Sequence, residues 1–372
     1  MARLKLIALT AGILLGATSI AAALELRIAA GAPPTHPAAD PMYKTFIDTL
    51  AANPSADLTA RNLGLEVADL RSMIPNLKSG VLDVGNVLTS YFAADFPDNS
   101  LVGDLAPLGK IGQAMTAAVT EYTATCAECI AEFAKLGTVY LGTGSTSTNW
   151  LHTTKPVKSL ADLKGLRVRA GAAPFVRWAD AMGAEPQNIS FNEEFEALQT
   201  GLLDGTIAPP TNLAASRLFD VVKYTTMVPI GTTHAAASFT FRQETWKSMT
   251  PEQRELALKA ATLALASFEP AMRKSGDAAI ATAKEKGIEV AEPTDEIAKA
   301  NVEYEQKAMQ EVAEIATSKY GVKDAEAKVK RFAELVQKWN KLIEPVQDDP
   351  QAVADLMQKE IWSKIDFANY GM

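Results

Sequence analysis

The stretch that decides the fold begins Leu160-Ala-Asp-Leu-Lys-Gly-Leu-Arg-Val-Arg169 and resumes at Phe191-Asn-Glu-Glu-Phe-Glu-Ala-Leu-Gln-Thr-Gly-Leu-Leu-Asp-Gly205. Its first part predicts a short helix closed by Gly165, followed by a strand from Leu166 to Ala170. One of the two arginines on that strand is expected to point into a cleft.

The second part predicts an amphipathic helix. Gly205 and the Pro209-Pro210 pair end it, and its end is expected to return the chain to the cleft. The apolar positions that recur at helical spacing are Phe191, Phe195, Leu198 and Leu202. The carboxylates of Glu193, Glu194 and Glu196 are expected to spread around a solvated face.

The first 23 residues have the composition of a secretory signal peptide. Arg3 and Lys5 precede an apolar run from Leu6 to about Ile20, and Ala21-Ala-Ala23 then fits an A-x-A cleavage site. The run falls short of the roughly 20 residues that span a bilayer, which favours a cleaved leader over a membrane anchor. We therefore expect residues 1–23 to be removed and the mature protein to be soluble and exported.

The mature chain is acidic. The full sequence has a formal net charge of -8, and the loss of Arg3 and Lys5 with the leader brings the mature chain to -10. Nucleic-acid binders need basic surface, so the composition argues against a nucleic-acid partner. An acidic protein binds an anion locally, through a focused arginine or helix N-termini. About 350 mature residues exceed the usual size of one core and predict two domains.

The chain has two cysteines, Cys126 and Cys129, in a C-x-x-C motif. One pair cannot complete a structural zinc site, and the histidine spacing offers no second half, so no metal is expected. A thioredoxin-like motif would lie near a helix N-terminus, whereas the segment from Met115 to Lys135 predicts a helix already under way. A local disulfide is favoured for an exported protein, with two reduced cysteines as the alternative.

Strands and helices alternate through the N-terminal half, which is typical of an α/β domain. Residues Thr143 to Thr148 are rich in Gly, Ser and Thr and predict a crossover between domains. A second α/β unit follows. Thr250 then caps a long Ala-rich helix predicted from Pro251 to Lys286, and the charged tail from Asp295 to Lys364 predicts a helical outer scaffold.

These segments resemble the DctP-type substrate-binding proteins of tripartite ATP-independent periplasmic (TRAP) transporters. The hallmark of that family is D-L-K-G-(hydrophobic)-(K/R)-(hydrophobic)-R, completed by A-L-Q-x-G-x-x-D-G. The likeness extends from Leu24–Ala29 through Lys78–Asp83 to Trp246–Arg254 and so covers most of the mature chain.

The resemblance implies an α/β fold of the two-domain periplasmic binding protein type, with hinge strands and a long helix that spans both domains. Domain I is expected at 24–146 plus 235–274, and domain II at 147–234 plus 275–372, with the ligand between them. The implied function is that of a monomeric periplasmic receptor without a cofactor, which captures a small organic acid and delivers it to TRAP transporter membrane subunits.

The resemblance also implies site residues. Arg169 occupies the place of the arginine that pairs with the substrate carboxylate, and Phe191 matches a pocket position. Arg167 is expected to have the opposite strand parity and to face away from the ligand. The chain departs from the pattern at Asn149, where well-studied members often have a second arginine, and at Ala208, where the usual residue is Asn; Asn212 is a candidate substitute.

Aromatic side chains accompany these departures, so the cleft is expected to be apolar. They are Tyr91, Phe92, Trp150, Phe175, Trp178 and Phe191. The predicted ligand is a monocarboxylate with an apolar or aromatic body, its carboxylate on Arg169 and its ring against Phe191 or Trp150. A C4-dicarboxylate or a sugar acid is the competing prediction. His36, His152 and His234 are either hydrogen-bonding cleft residues or ordinary surface and hinge histidines.

Enzyme motifs are missing from the sequence. It contains no G-x-S-x-G elbow, P-loop or H-E-x-x-H, and Gly142-Thr-Gly144 lacks the third glycine of a dinucleotide fingerprint. The sequence therefore favours binding without chemistry. A ligand-sensing protein that presents its loaded form to a sensor kinase is the alternative from another class, and a periplasmic enzyme is the third.

Overall fold

The computed structural model describes residues 23–372. The predicted leader therefore falls on residues outside the described part of the chain, apart from Ala23. Within the described part, no helix combines the length and the apolar character needed to cross a bilayer.

The described residues form eleven strands and fourteen α-helices, besides seven short 3-10 and π helices. The strands are β1 Leu24–Ala29, β2 Leu58–Asn62, β3 Val84–Val87, β4 Thr138–Tyr140, β5 Trp150–Thr153, β6 Arg167–Arg169, β7 Glu185–Gln187, β8 Gly205–Ala208, β9 Tyr224–Thr226, β10 Ala237–Arg242 and β11 Glu289–Ala291. The helices are α1 Lys44–Ala51, α2 Met73–Ser79, α3 Pro97–Gly103, α4 Gly112–Ala124, α5 Ala127–Lys135, α6 Leu160–Leu163, α7 Ala173–Ala181, α8 Glu194–Gln199, α9 Asn212–Ala215, α10 Gln243–Ser248, α11 Pro251–Glu285, α12 Asp295–Tyr320, α13 Ala325–Ile343 and α14 Pro350–Glu360.

The strands form two separate sheets. The first has the order β2-β1-β3-β10-β4, and the second has the order β11-β9-β5-β8-β6-β7. In each sheet one strand runs antiparallel to both of its neighbours. In the first sheet β10 pairs antiparallel with β3 and β4, and in the second β5 pairs antiparallel with β8 and β9. These strands enter each sheet after a crossover from the other one.

Two extended segments of the chain cross side by side between the sheets. Thr148 and Thr232 pair as an antiparallel bridge, Asn149 N–H donates to Gly231 O, and Thr146 N–H donates to Thr233 O. These bonds join the segment before β5 to the segment before β10. The predicted crossover at Thr143 to Thr148 is one of the two hinge strands.

Helix α11 spans both sheets. Its 35 residues correspond to a length of about 52 Å. Ala257, Ala264 and neighbouring residues pack into the core of the first sheet, whereas Ala279 and Ala283 pack with α8 and α9 beside the second sheet. The Thr250 capping box and Pro251 fix its start. The predicted α/β fold with hinge strands and a domain-spanning helix is confirmed.

The domain borders stay a prediction, but the packing differs from the proposed ranges at the C-terminus. Phe332, Trp339 and Met357 are buried in the core of the first sheet, and α13 packs against α4. The expected assignment of the whole stretch 275–372 to the second domain is therefore wrong for α13 and α14. Their apolar stripes face the first domain, which the charge of the tail did not reveal.

The C-x-x-C motif also differs from its prediction. Helix α4 ends at Ala124, and a new helix begins at Ala127 with Cys126 as its N-cap. The expected single helix is wrong, so the argument that the motif lies inside a helix does not hold. Cys126 and Cys129 form a disulfide, and both are buried.

Candidate functional site

A cavity of about 110 Å³ lies between the two sheets. Its apolar lining comes from both sides and includes Ala32, Met42, Leu70, Phe175, Phe191 and Phe268. Among the described residues that line it, Arg169 is the single lysine or arginine. The site is thus an apolar pocket with one fixed positive charge.

Arg169 reaches the cavity from the carboxyl end of β6. Its side chain is about nine-tenths buried, Nε–H donates to Ile189 O at 3.0 Å, and Nη1 lies 3.5 Å from Ile207 O. Gly171 lies directly against this side chain, since a Cβ there would come within 2.6 Å of Arg169 Nη2. Burial works to lower the pKa of Arg169, but nearby Glu194 and Tyr91 outweigh it and leave that pKa raised.

The carboxylate of Glu194 is buried beside Arg169, and sequence reasoning missed it. Its side chain is fully buried, and Oε1 lies 3.8 Å from Arg169 Nη1. Thr206 Oγ1 donates to Oε1, and Asn212 Nδ2 donates to Oε2 at 3.1 Å. The expectation that this carboxylate faces solvent is wrong. Helix α8 presents Glu194 and Leu198 to the protein interior, whereas Glu193 and Glu196 are exposed.

The helix itself is shorter than its sequence pattern predicts. Helix α8 ends at Gln199, and Gly201 follows with a φ of 71°, a conformation that glycine adopts without strain. Leu202 therefore lies beyond the helix and is 55% exposed, so its expected place on the apolar face is wrong.

Tyr91 connects the two sides of the cavity. It lies on the first-sheet side, where it follows β3, and its hydroxyl accepts hydrogen bonds from Phe191 N–H at 3.0 Å and from Arg169 Nη2 at 3.4 Å. Asn192 Nδ2 adds a third bond across the cleft, to Gly31 O. Because both lone-pair directions of the Tyr91 oxygen are occupied, its O–H group is left to donate elsewhere.

The structure brings together five of the six predicted substrate-binding residues. Arg169, Phe191, Asn149, Tyr91 and Asn212 line the cavity. Asn149 Nδ2 donates to Gly231 O at 2.8 Å, so this side-chain amide also joins the two hinge segments. Trp150 is not among the lining residues that the structure describes, which corrects its expected place in the cleft. It follows Asn149 directly, and successive side chains at a strand point to opposite faces.

Arg167 is not among the described residues that line the cavity, but the expectation that it faces the opposite way from Arg169 is wrong. It forms an ion pair with Asp204 at 2.9 Å, and this contact lowers the pKa of Asp204. Arg167 and Arg169 are two residues apart on one strand and so share its face. Their different surroundings come from their positions along β6: only Arg169 stands at the carboxyl end that opens into the cavity.

The three histidines differ in role. His152 and His234 are buried and bonded at both ring nitrogens, His152 to Thr225 and Ala208 and His234 to Thr232 and Val102. They hold the fold. His36 lines the cavity, and its ring packs edge-on against Phe191 with centroids 5.3 Å apart. Burial lowers the pKa of all three to about 4.

The family of the chain follows from a comparison of its sequence with protein-family models. Residues 66–360 match DctP, described as "Bacterial extracellular solute-binding protein, family 7". The chain belongs to this family. The match includes the strand that carries Arg169 and the helix that carries Glu194, and the family is one of solute-binding proteins rather than enzymes.

Curated relatives match this DctP-family chain over part of their length. It is 28% identical over 159 residues to the sialic acid-binding periplasmic protein SiaP of Vibrio cholerae. The aligned region covers 42% of this chain and 43% of that protein. It is 25% identical over 195 residues to the C4-dicarboxylate-binding periplasmic protein DctP of Rhodobacter capsulatus, 52% of this chain and 47% of that protein. The aligned regions thus span less than half of each of these relatives.

Solved structures share the fold. A TRAP periplasmic solute-binding protein of Bordetella bronchiseptica with bound mandelate superposes with a TM-score of 0.71 at 22% identity, covering 85% of this chain and 99% of that one. A TRAP solute-binding protein of Rhodoferax ferrireducens with copurified benzoate superposes with a TM-score of 0.73 at 18% identity. The match covers 86% of this chain and 99% of that one. At these identities the likeness establishes the architecture alone.

Proposed function

We propose that this protein is a periplasmic receptor that captures a monocarboxylate with an apolar or aromatic body between its two domains. The carboxylate binds Arg169, and the body of the ligand lies against Phe191 and the other apolar side chains of the cavity. The receptor then delivers the acid to TRAP transporter membrane subunits. The family membership and the bound acids of the structural neighbours support this proposal.

The observation that carries the proposal is a buried arginine with unused donors. A guanidinium has five N–H groups, and in Arg169 the fold engages one on each nitrogen, two of them at 3.4 Å or more. One N–H group therefore remains on each terminal nitrogen. Two parallel N–H groups are the arrangement that binds a carboxylate at both oxygens.

Charge and size favour a small monoacid. A dicarboxylate would need a second cation, and the described lining offers Arg169 alone beside the carboxylate of Glu194. His36 does not supply that charge near neutral pH, because burial lowers its pKa to about 4. A cavity of about 110 Å³ has the volume of about four waters at roughly 30 Å³ each, which suits a one-ring aromatic acid better than a larger sugar acid such as sialic acid.

Tyr91 links binding to domain closure. Its oxygen accepts from two groups of the opposite domain, and its free O–H group is available to a carboxylate held by Arg169. A ligand that accepts this proton makes contacts on both sides of the cleft and so stabilises the closed form.

A thermal-shift screen of the mature protein against organic acids tests the proposal. A ligand that binds only the folded state raises the melting temperature. The expected hits are benzoate, mandelate and similar monoacids, with smaller shifts for succinate, malate and galacturonate at equal concentration. Larger shifts with dicarboxylates or sugar acids would contradict the monocarboxylate assignment, and no shift with any acid would contradict the receptor function.

A further inference from the structure

Arg71 lies against Tyr91, the residue that joins the two sides of the cavity. Its guanidinium carbon is 4.8 Å from the centre of the Tyr91 ring, a distance at which a cation is attracted to the face of an aromatic ring. Arg71 is exposed and is not among the described residues that line the cavity, whereas Tyr91 is partly buried and lines it. Two arginines therefore contact one tyrosine, Arg71 at the ring and Arg169 at the hydroxyl.

A turn built by Asp69 fixes the place of Arg71. Asp69 Oδ1 accepts hydrogen bonds from Arg71 N–H at 3.1 Å and from Ser72 N–H at 2.7 Å. Ser72 Oγ in turn accepts one from Asp69 N–H at 3.0 Å. Leu70, in the middle of this turn, is buried and lines the cavity. The same turn thus places Leu70 in the cavity wall and Arg71 on the Tyr91 ring.

The contact between Arg71 and Tyr91 lies within one domain. Arg71 is in the loop after β2 and Tyr91 in the turn after β3, and both strands pair in parallel with β1 of the first sheet. The Tyr91 hydroxyl, by contrast, accepts from Phe191 N–H and from Arg169 Nη2 on the side of the second sheet. Opening of the cleft therefore separates the hydroxyl from its donors and leaves the contact with Arg71 in place.

We propose that Arg71 is a positioning residue, which holds the Tyr91 ring in the orientation from which its hydroxyl reaches Arg169 and Phe191. A partly exposed tyrosine without such a contact has other rotamers open to it, and ordering the side chain costs free energy when the cleft closes. Arg71 orders the ring before closure, so the closed form holds the acid longer. This inference rests on the proposed function, and it adds a residue that controls release of the acid without touching it.

Stopped-flow kinetics of benzoate binding test this role. In Arg71→Gln the release rate is expected to rise about two- to fivefold, the factor that corresponds to a cation–ring attraction at an exposed site, with little change in the association rate. Arg331→Gln is the matched control. The guanidinium carbon of Arg331 lies 4.9 Å from the centre of the Tyr122 ring, and neither residue is among those described as lining the cavity. This control should leave both rates unchanged.

The variant Tyr91→Phe shows whether Arg71 acts through the tyrosine hydroxyl. It keeps the ring and removes the oxygen that accepts from Arg169 and Phe191, so the orientation of the ring no longer matters for closure. In the Tyr91→Phe background, Arg71→Gln is therefore expected to leave the release rate unchanged. Such non-additivity is the signature of two residues that act as one unit.

Three results would overturn the inference while the receptor function stands. The first is an unchanged release rate in Arg71→Gln. The second is an equal acceleration of release with and without the Tyr91 hydroxyl. The third is a change confined to the association rate and lost at high salt, which would mean that Arg71 attracts the anion and does not position Tyr91. If the unmodified protein binds no benzoate, the proposed function fails for acids of this type, and this inference fails with it.

Discussion

Replacing Glu194 with glutamine should weaken the fold and strengthen acid binding at the same time. Glu194 and Arg169 form a buried pair 3.8 Å apart. Breaking such a pair leaves one charge buried without its partner, which typically costs about 3 kcal/mol or more of unfolding free energy. The substitution Glu194→Gln should therefore lower the stability of the ligand-free protein by an amount of that order.

Ligand binding should respond in the opposite direction. A carboxylate bound about 3 Å beyond the Arg169 guanidinium would lie about 7 Å from Glu194. At an effective dielectric constant of about 20, the repulsion between those charges is about 2 kcal/mol, which is roughly thirtyfold in affinity. Removing the Glu194 charge should thus tighten benzoate binding by tenfold or more.

Urea unfolding and calorimetric titration with benzoate measure the two effects separately. Glu193→Gln is the control, because Glu193 is exposed and glutamine preserves its capping box with Ser190. It should change neither quantity. Weaker benzoate binding by Glu194→Gln would refute the reasoning, since it would mean that Glu194 holds Arg169 in its binding geometry rather than competing with the ligand.

Three further predictions concern the fold. Phe332→Ala should cost about 3–5 kcal/mol of unfolding free energy, because Phe332 is fully buried in the first core. The control Val302→Ala, at a half-exposed position, should cost much less. Similar costs for the two variants in urea unfolding would contradict the packing of α13. His36, His152 and His234 have pKa values lowered to about 4, so the folded state binds fewer protons than the unfolded one and stability should fall as pH drops from 6.5 towards 4. Glu132, whose pKa burial raises to about 7, acts in the opposite sense, as do Asp104, Glu269 and Glu305, whose pKa values burial also raises. The net fall of the folding constant should therefore stay below roughly fiftyfold per pH unit near pH 5.5. In urea unfolding His152→Gln should make this profile shallower by nearly tenfold per pH unit, and an unchanged profile would refute a neutral His152. Replacing Cys126 and Cys129 together by serine should cost no more than about 2 kcal/mol, since the disulfide closes a very short loop; a thermal-melt loss that corresponds to a much larger cost would contradict this.

Local sequence signals predicted the frame of the site well. The helix closed by Gly165, the strand that ends at Arg169 and the helix capped by Thr250 and Pro251 all depend on caps, glycines and apolar periodicity within a few residues. The resemblance to the DctP family then supplied the two-domain architecture with hinge strands and a spanning helix. Arg169 was found because it belongs to a motif and not because of its local pattern.

Features that depend on long-range packing were not predictable in the same way. Glu194 has the same helical neighbourhood as exposed Glu193 and Glu196, and only Thr206, Asn212 and Arg169 make its burial favourable. For Glu194, helical spacing from the buried Ala197 and Leu198 was the one available signal.

The central claim is that Arg169 binds the carboxylate of the ligand. The most direct test is a benzoate titration of a variant that lacks the Arg169 charge without leaving another buried charge unpaired. The double variant Arg169→Gln with Glu194→Gln removes both members of the buried pair, so no buried charge is left alone. Arg167→Gln is the control, since Arg167 is on the same strand but outside the cavity. The account predicts that the unmodified protein and the control bind benzoate and not the neutral benzamide, and that the double variant loses benzoate binding. Unchanged benzoate affinity in the double variant would contradict it.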